Sequence, residues 1–211
     1  MTRRTRHLYV ARHAEPGSDG DSLSRRGTRQ AALLGRRLAD VPFAAVHHGP
    51  LPRASATAHA VARQLTSAVP VQALDAAGDY VPYLPSRSEM LDQHADRVLA
   101  HLGDVPVDEA RSGAALAADA LRQLTGPVVG DGGDRHELVI THAFTVGWLV
   151  RDALGAPAWR WWGLNHCHTG LTVIRYFPDK PPSLVVVNDQ AHLPPDLQWT
   201  GFPEEYRVPA P

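Results

Sequence analysis

The chain has 211 residues, 44% of them hydrophobic, which is enough to bury a sizeable core and predicts one domain over residues 1–211. Its 21 basic and 22 acidic side chains nearly cancel, so no overall field holds it to nucleic acid or to an anionic membrane, and any anion site must be local. The single cysteine, Cys167, excludes an internal disulfide, and the apolar run after the basic Thr2–Arg6 tract ends too early for a signal sequence or a spanning helix, so a cytoplasmic location is expected.

In chain order, residues 7–12 read as a first strand, and Ser24 as the N-cap of a helix running to about Asp40, with Ala31, Leu34 and Leu38 at helical spacing. Phe43–His48 is the second strand. Gly49-Pro50-Leu51-Pro52 then opens a helix with Ala54, Ala58, Val61, Ala62 and Leu65 on one stripe, which puts Arg53 in its first turn. Val69–Leu74 reads as a third strand, followed by an irregular Asp79–Pro85 that two prolines keep out of a central strand. Two amphipathic helices follow, Ser88–Leu102 with Leu91, Ala95, Val98 and Leu102 inward, and Asp108–Leu124 with Ala114, Ala117, Leu121 and Leu124 inward. Together they make residues 79–125 a helical cap. Glu137–Thr141 is the fourth strand and Ala143–Leu154 a buried helix. Thr169–Tyr176 and Ser183–Asn188 form a hairpin at the sheet's edge, and the proline-rich stretch 194–211 reads as a surface tail. Strands alternating with helices predict a three-layer α/β/α sandwich with a mostly parallel central sheet.

His13 and His142 each stand where a β-branched apolar run stops, and the carboxyl ends of parallel strands are where such sheets gather reacting groups. Neighbouring strands lie about 4.8 Å apart, so junction residues on adjoining strands can converge on a group the size of a phosphate. Arg12 precedes His13, and an imidazole beside a guanidinium suits chemistry on phosphorus. The helix after His142 begins at Ala143 and offers unpaired N–H groups to a tetrahedral anion. Arg53 at another helix start is unfavourable to the dipole and calls for an anionic partner.

These segments resemble the histidine phosphatase superfamily, also called phosphoglycerate-mutase-like, along almost the full length. The likeness rests on Arg12-His13-Ala14-Glu15, on Leu23–Ala31, on Gly49–Ala54 with Thr57-Ala58, and on Thr141-His142-Ala143. The resemblance implies that His13 attacks phosphorus to give a phosphohistidine. It also implies that Arg12, Arg53 and His142 hold the equatorial oxygens, that Asp79 protonates the leaving group, and that no cofactor or metal takes part. Asp75 and Glu15 remain alternatives for the acid, whose pKa a neighbouring anion should raise. Alanine stands where the family has glycine after both histidines, and aspartate where it often has glutamate.

His48 either borders the phosphate pocket or packs at the surface. Tyr80, Tyr83, Arg87, Trp159, Trp161 and Trp162 either line the mouth of the site or pack internally. His47-His48 and His166-Cys167-His168 match no closed zinc spacing. The expected activity is metal-independent hydrolysis of a phosphomonoester, borne by a phosphorylated small molecule or a phosphoprotein. Its rivals are a mutase-like phosphotransferase and a non-catalytic phosphate-recognition module.

Overall fold

The computed structural model describes residues 2–90, 92–103 and 105–207. Its strands are β1 (Arg3–Arg4), β2 (Arg6–Arg12), β3 (Phe43–His48), β4 (Val71–Ala73), β5 (Val128–Val129), β6 (Arg135–Thr141), β7 (Leu171–Tyr176) and β8 (Ser183–Asp189). Its helices are α1 (Arg25–Arg37), α2 (Pro52–Ala62), α3 (Asp92–Leu102), α4 (Val107–Leu124) and α5 (Ala143–Ala153). Six strands form one sheet in the order β4-β3-β6-β2-β7-β8. The first four run parallel, and the β7–β8 hairpin joins antiparallel at one edge.

Side-chain alternation divides the core between the two faces of this sheet. Leu8, Val10 and Val139 pack with Val146, Leu149 and Val150 of α5 and with Ala120 and Leu124 of α4. Ala11, Leu138 and Ile140, from the same strands, pack with Leu34 of α1 and with Ala54, Ala58 and Val61 of α2. Strand β6 is buried over its last five residues because helices cover both of its faces, with Leu138, Val139 and Ile140 as its apolar centre. Ser24 caps α1 by accepting the Gly27 N–H at 2.9 Å.

The segment 79–125 adds a cluster of its own, in which Tyr80, Val81, Met90, Ala95, Val98 and Ala117 surround Trp148 and Trp161. Two indole N–H groups fasten it to the sandwich, Trp148 to the Ala117 carbonyl and Trp161 to the Tyr83 carbonyl, each at 3.0 Å.

The structure departs from the sequence reading at several points. The helix expected from Ser88 starts later: Ser86 and Glu89 cap each other across a short 3-10 turn, and Met90 is extended before α3 begins. Leu91 lies outside the described residues. In α4 the inward face carries Gly113, Ala117, Ala120 and Leu124, while Ala114 is exposed. The third strand shrinks to Val71–Ala73. The strands β1 and β5 pair with each other over two residues and were not expected. The stretch expected as a surface tail buries Leu197, which is 1% exposed, and its backbone reaches the site described next. Residues 208–211 of that tail lie outside the described residues.

Candidate active site

The ends of β2, β6 and β3 lie side by side. The His13 N–H continues the ladder to the Thr141 carbonyl at 2.8 Å, and the Gly49 N–H reaches the Ile140 carbonyl at 3.0 Å. The Thr141 and Thr145 hydroxyls pin this edge by donating to the carbonyls of Ala77 and Gly78, each at 2.7 Å. The His13 ring is 4% exposed, and its Nδ1 lies 2.8 Å from the Ala14 carbonyl. A carbonyl only accepts, so the ring proton sits on Nδ1 and Nε2 carries the lone pair. Arg53 Nε donates to that Nε2 at 3.2 Å. Burial is the main reason the His13 pKa falls from 6.5 to about 3; the Ala14 bond opposes it, and the charges of Arg12, His142 and Arg53 add to it.

Around this imidazole the polar groups converge. The His142 ring lies 4.9 Å from it, centroid to centroid, and His142 is the N-cap of α5, so Ala143 occupies the helix's first position. Asp79 Oδ2 accepts from Arg53 Nη2 at 2.9 Å and stands 3.4 Å from His142 Nδ1. Burial pushes the Asp79 carboxyl upward, but the hydrogen bond and charge of His142, with Arg53 and His13, outweigh it and hold the pKa below the ordinary value. The raised pKa expected of the acid beside an anion concerns the phosphate complex; in the protein alone the neighbours of Asp79 are His142, Arg53 and His13. Arg12 Nη1 donates to the carbonyls of His166 at 3.1 Å and Gly201 at 2.6 Å. These bonds leave the buried Arg12 Nε without a partner, and the buried His142 Nε2 likewise has none. Buried donors without partners call for an explanation, and a tetrahedral oxyanion would supply acceptors to them.

A model of the histidine phosphatase superfamily (branch 1) matches residues 8–190, spanning every one of these groups except Gly201. The chain belongs to this superfamily. Among curated proteins it is similar to the mitochondrial serine/threonine-protein phosphatase Pgam5 of Caenorhabditis elegans, with 27% identity over 200 residues. That match takes in 91% of this chain but 66% of the relative's length, so the chain spans just under two thirds of it. Among solved structures, YhfR of Bacillus stearothermophilus superposes with a TM-score of 0.66 at 22% identity, covering 88% of this chain and 98% of that one. A mycobacterial glucosyl-3-phosphoglycerate phosphatase gives a TM-score of 0.61 at 20% identity, covering 89% and 100%. At such identities these structures establish the phosphoglycerate-mutase-like fold.

In this member of the superfamily several anticipated residues lie outside the imidazole–guanidinium set. Glu15 is taken up locally, accepting from the Ser24 hydroxyl at 2.8 Å and facing Arg26 at 3.6 Å. Asp75 is exposed at the start of a 3-10 turn. His48 Nδ1 bonds the Gly49 carbonyl at 2.8 Å and its ring faces His59. The Tyr80 hydroxyl donates to the Ala76 carbonyl at 2.7 Å, so it holds the loop to itself. Trp161 and Trp162 line a cavity of about 730 Å³ that begins at Arg12 and Ala143. Among the described residues no group of three or more His, Cys, Asp or Glu is arranged to hold a metal ion.

The structure also gives roles to residues that the sequence reading left without one. The Thr57 hydroxyl accepts from the Ala14 N–H at 3.0 Å and donates to the Arg53 carbonyl at 2.7 Å, tying the loop after His13 to the helix bearing Arg53. Its position four residues after Arg53, on the same helix face, was a usable signal. His168, 6% exposed, faces the His13 ring at 5.4 Å and holds Thr200 Oγ1 at 3.0 Å through Nδ1. Burial, with Arg12 and His13 nearby, lowers its pKa to about 2. Gly201 lies so near Arg12 that a Cβ there would stand 2.3 Å from Nη1, and its φ of 107° favours glycine.

Proposed function

We propose that this chain is a phosphomonoester hydrolase whose His13 Nε2 accepts the phosphoryl group and passes it to water. The observation that carries the reading is the state of that nitrogen: unprotonated because Nδ1 serves the Ala14 carbonyl, and facing Arg53 Nε at 3.2 Å. In the first half-reaction the N–P bond forms as the bond from phosphorus to the leaving oxygen breaks, and Asp79 gives that oxygen a proton. In the second, water attacks the phosphohistidine while Asp79 takes the proton back, and inorganic phosphate departs. Arg12, Arg53, His142 and the start of α5 stabilise the equatorial oxygens, since phosphoryl transfer depends chiefly on positioning and on charge.

Support for Asp79 as proton donor lies in its Oδ2, set between Arg53 Nη2 and His142 Nδ1 at the edge of the pocket. Its lowered pKa is the observation that favours the rival, a phosphate-recognition module without turnover. One experiment separates them. The protein is mixed with a radiolabelled aryl phosphate and quenched in alkali, which preserves phosphohistidine. The expected results are release of phosphate and label on the peptide containing His13, both lost in His13→Ala. Saturable phosphate binding without release would establish the module instead.

A further inference from the structure

Resting on that reading, the cavity beside the reacting groups narrows the substrate class. It measures about 730 Å³, the size range of sites for metabolite-sized ligands, and a phosphoryl group fills a small part of it. Its lining includes Arg12 and Ala143, which the proposed function assigns to the phosphate, so an ester held there has room for its remaining volume in the cavity. One wall is aromatic: Phe144 and Trp161 meet edge to face at 4.8 Å, Trp161 and Trp162 at 5.9 Å, and His101 lies 4.3 Å from Trp162. Trp161 is 1% exposed, so the ring surface offered to a planar guest is that of the half-buried Phe144 and Trp162 in front of it.

The charge around this space has one sign. Among the described residues its charged lining is Arg12 and Arg97, with His101 and His166 as polar groups and no carboxylate, whereas the second hollow, about 340 Å³, is lined by Asp75 and by Asp79, which pairs with Arg53 at 2.9 Å. An anion is therefore drawn to the first. Once Arg12 serves the transferring phosphate, Arg97 is left for another negative group. His166 is 1% exposed and neither ring nitrogen has a partner. Burial, with Arg12 beside it, lowers its pKa to about 4, so at neutral pH it offers one N–H donor and one acceptor to a bound ester.

We propose that the cavity of Arg12, Arg97, His166 and the Phe144–Trp161–Trp162 wall takes a low-molecular-weight aromatic phosphomonoester with a second anionic group. The ring system packs on Phe144 and Trp162, and the second charge meets Arg97 and His101. A phosphoserine peptide has no flat group for that wall.

The test compares kcat/KM for four esters: a biphenyl phosphate with a carboxylate on its far ring, the same phosphate without the carboxylate, glycerol phosphate and a phosphoserine peptide. The carboxylated ester is expected to lead by about tenfold or more over each of the others, the scale of one charge-assisted hydrogen bond. Arg97→Ala should lower its kcat/KM about tenfold more than that of the uncharged biphenyl ester, and Trp162→Ala should lower both biphenyl esters more than glycerol phosphate. A parallel titration follows tryptophan quenching by the phosphate-free biphenyl carboxylate in His13→Ala, where saturation weakened by Arg97→Ala is expected. Equal or better turnover of the peptide or of glycerol phosphate overturns the proposal. So does quenching that neither saturates nor responds to Arg97→Ala. Should no ester release phosphate while the titration behaves as expected, the hydrolase reading fails and the aromatic-anion site stands.

Discussion

Three imidazoles buried beside the reacting centre make stability depend on pH above the range where carboxylates titrate. His13, His166 and His168 are 4%, 1% and 6% exposed, and their pKa values fall to about 3, about 4 and about 2. Each returns to about 6.5 when the chain unfolds. Protons then bind the unfolded state more than the native one, so stability is full above the unfolded value and is lost as the pH falls through it toward the native values. Between about pH 7.5 and about pH 5.5 each ring costs about 1.4 kcal/mol, a figure set by the unfolded pKa because the native ones lie lower still. The three together cost about 4 kcal/mol, a large share of a typical domain's 5–15 kcal/mol or so. His136 and His192 shift in the same direction, whereas Glu137, held at about 2, and Asp79, also lowered, titrate below this window. Urea unfolding followed by tryptophan fluorescence at the two pH values measures the loss, and His168→Gln should remove about a third of it. A stability that changes by less than about 1 kcal/mol across the window would show that these rings take up protons in the native state, against the neutral nucleophile.

Asp79→Asn should lower kcat on alkyl phosphates by about 10²–10⁴-fold and on aryl phosphates far less, since a good leaving group needs little protonation; equal losses count against the assignment. Gly201→Ala should cost about 1–3 kcal/mol in stability from backbone strain and displace Arg12. Its kcat/KM should then fall about 10- to 100-fold in phosphate-release assays, and an unchanged kcat/KM removes Gly201 from the positioning of Arg12. Excess chelator should leave turnover intact, and a lost rate restored by zinc overturns the metal-free chemistry. Binding of inorganic phosphate to His13→Ala should take up protons, read by calorimetry in buffers of different ionisation enthalpy; proton release contradicts the acid role of Asp79.

What the sequence showed depended on how local the cause was. The bounds of β3, Phe43–His48, coincide with the sequence reading because a short apolar run between turn formers has one interpretation. The junction at Thr141-His142-Ala143 was equally legible, since a buried run gives way there to helical spacing. The contact from Arg12 to Gly201 was not, because 189 residues separate them and nothing near either position encodes the meeting. His168 was visible only as part of a possible metal cluster, and its approach to His13 follows from β7 pairing with β2. Asp79 could be placed after the third strand, but the sign of its pKa depended on which charges surround it in space, and those come from α2 and the end of β6.

The two arginines are held by different means, and the difference bears on how the site handles charge. Arg12 is oriented by two backbone carbonyls, which accept its hydrogen bonds without cancelling its charge, so its full positive field remains at the pocket. Arg53 donates to the Gly20 carbonyl at 3.3 Å and to His13 Nε2, but its third partner is Asp79, whose charge can be removed. A phosphate dianion arriving at His13 competes with Asp79 for both Arg53 and His142. As they turn to the phosphate oxygens, the carboxylate loses the interactions that kept its pKa low and gains a negative neighbour. Both changes raise the pKa, so a lowered value in the unliganded protein is consistent with a proton donor in the complex. On the proposed mechanism, a fixed neutral clamp on Arg12 and a partly exchangeable one on Arg53 would let substrate binding itself load Asp79 as the acid.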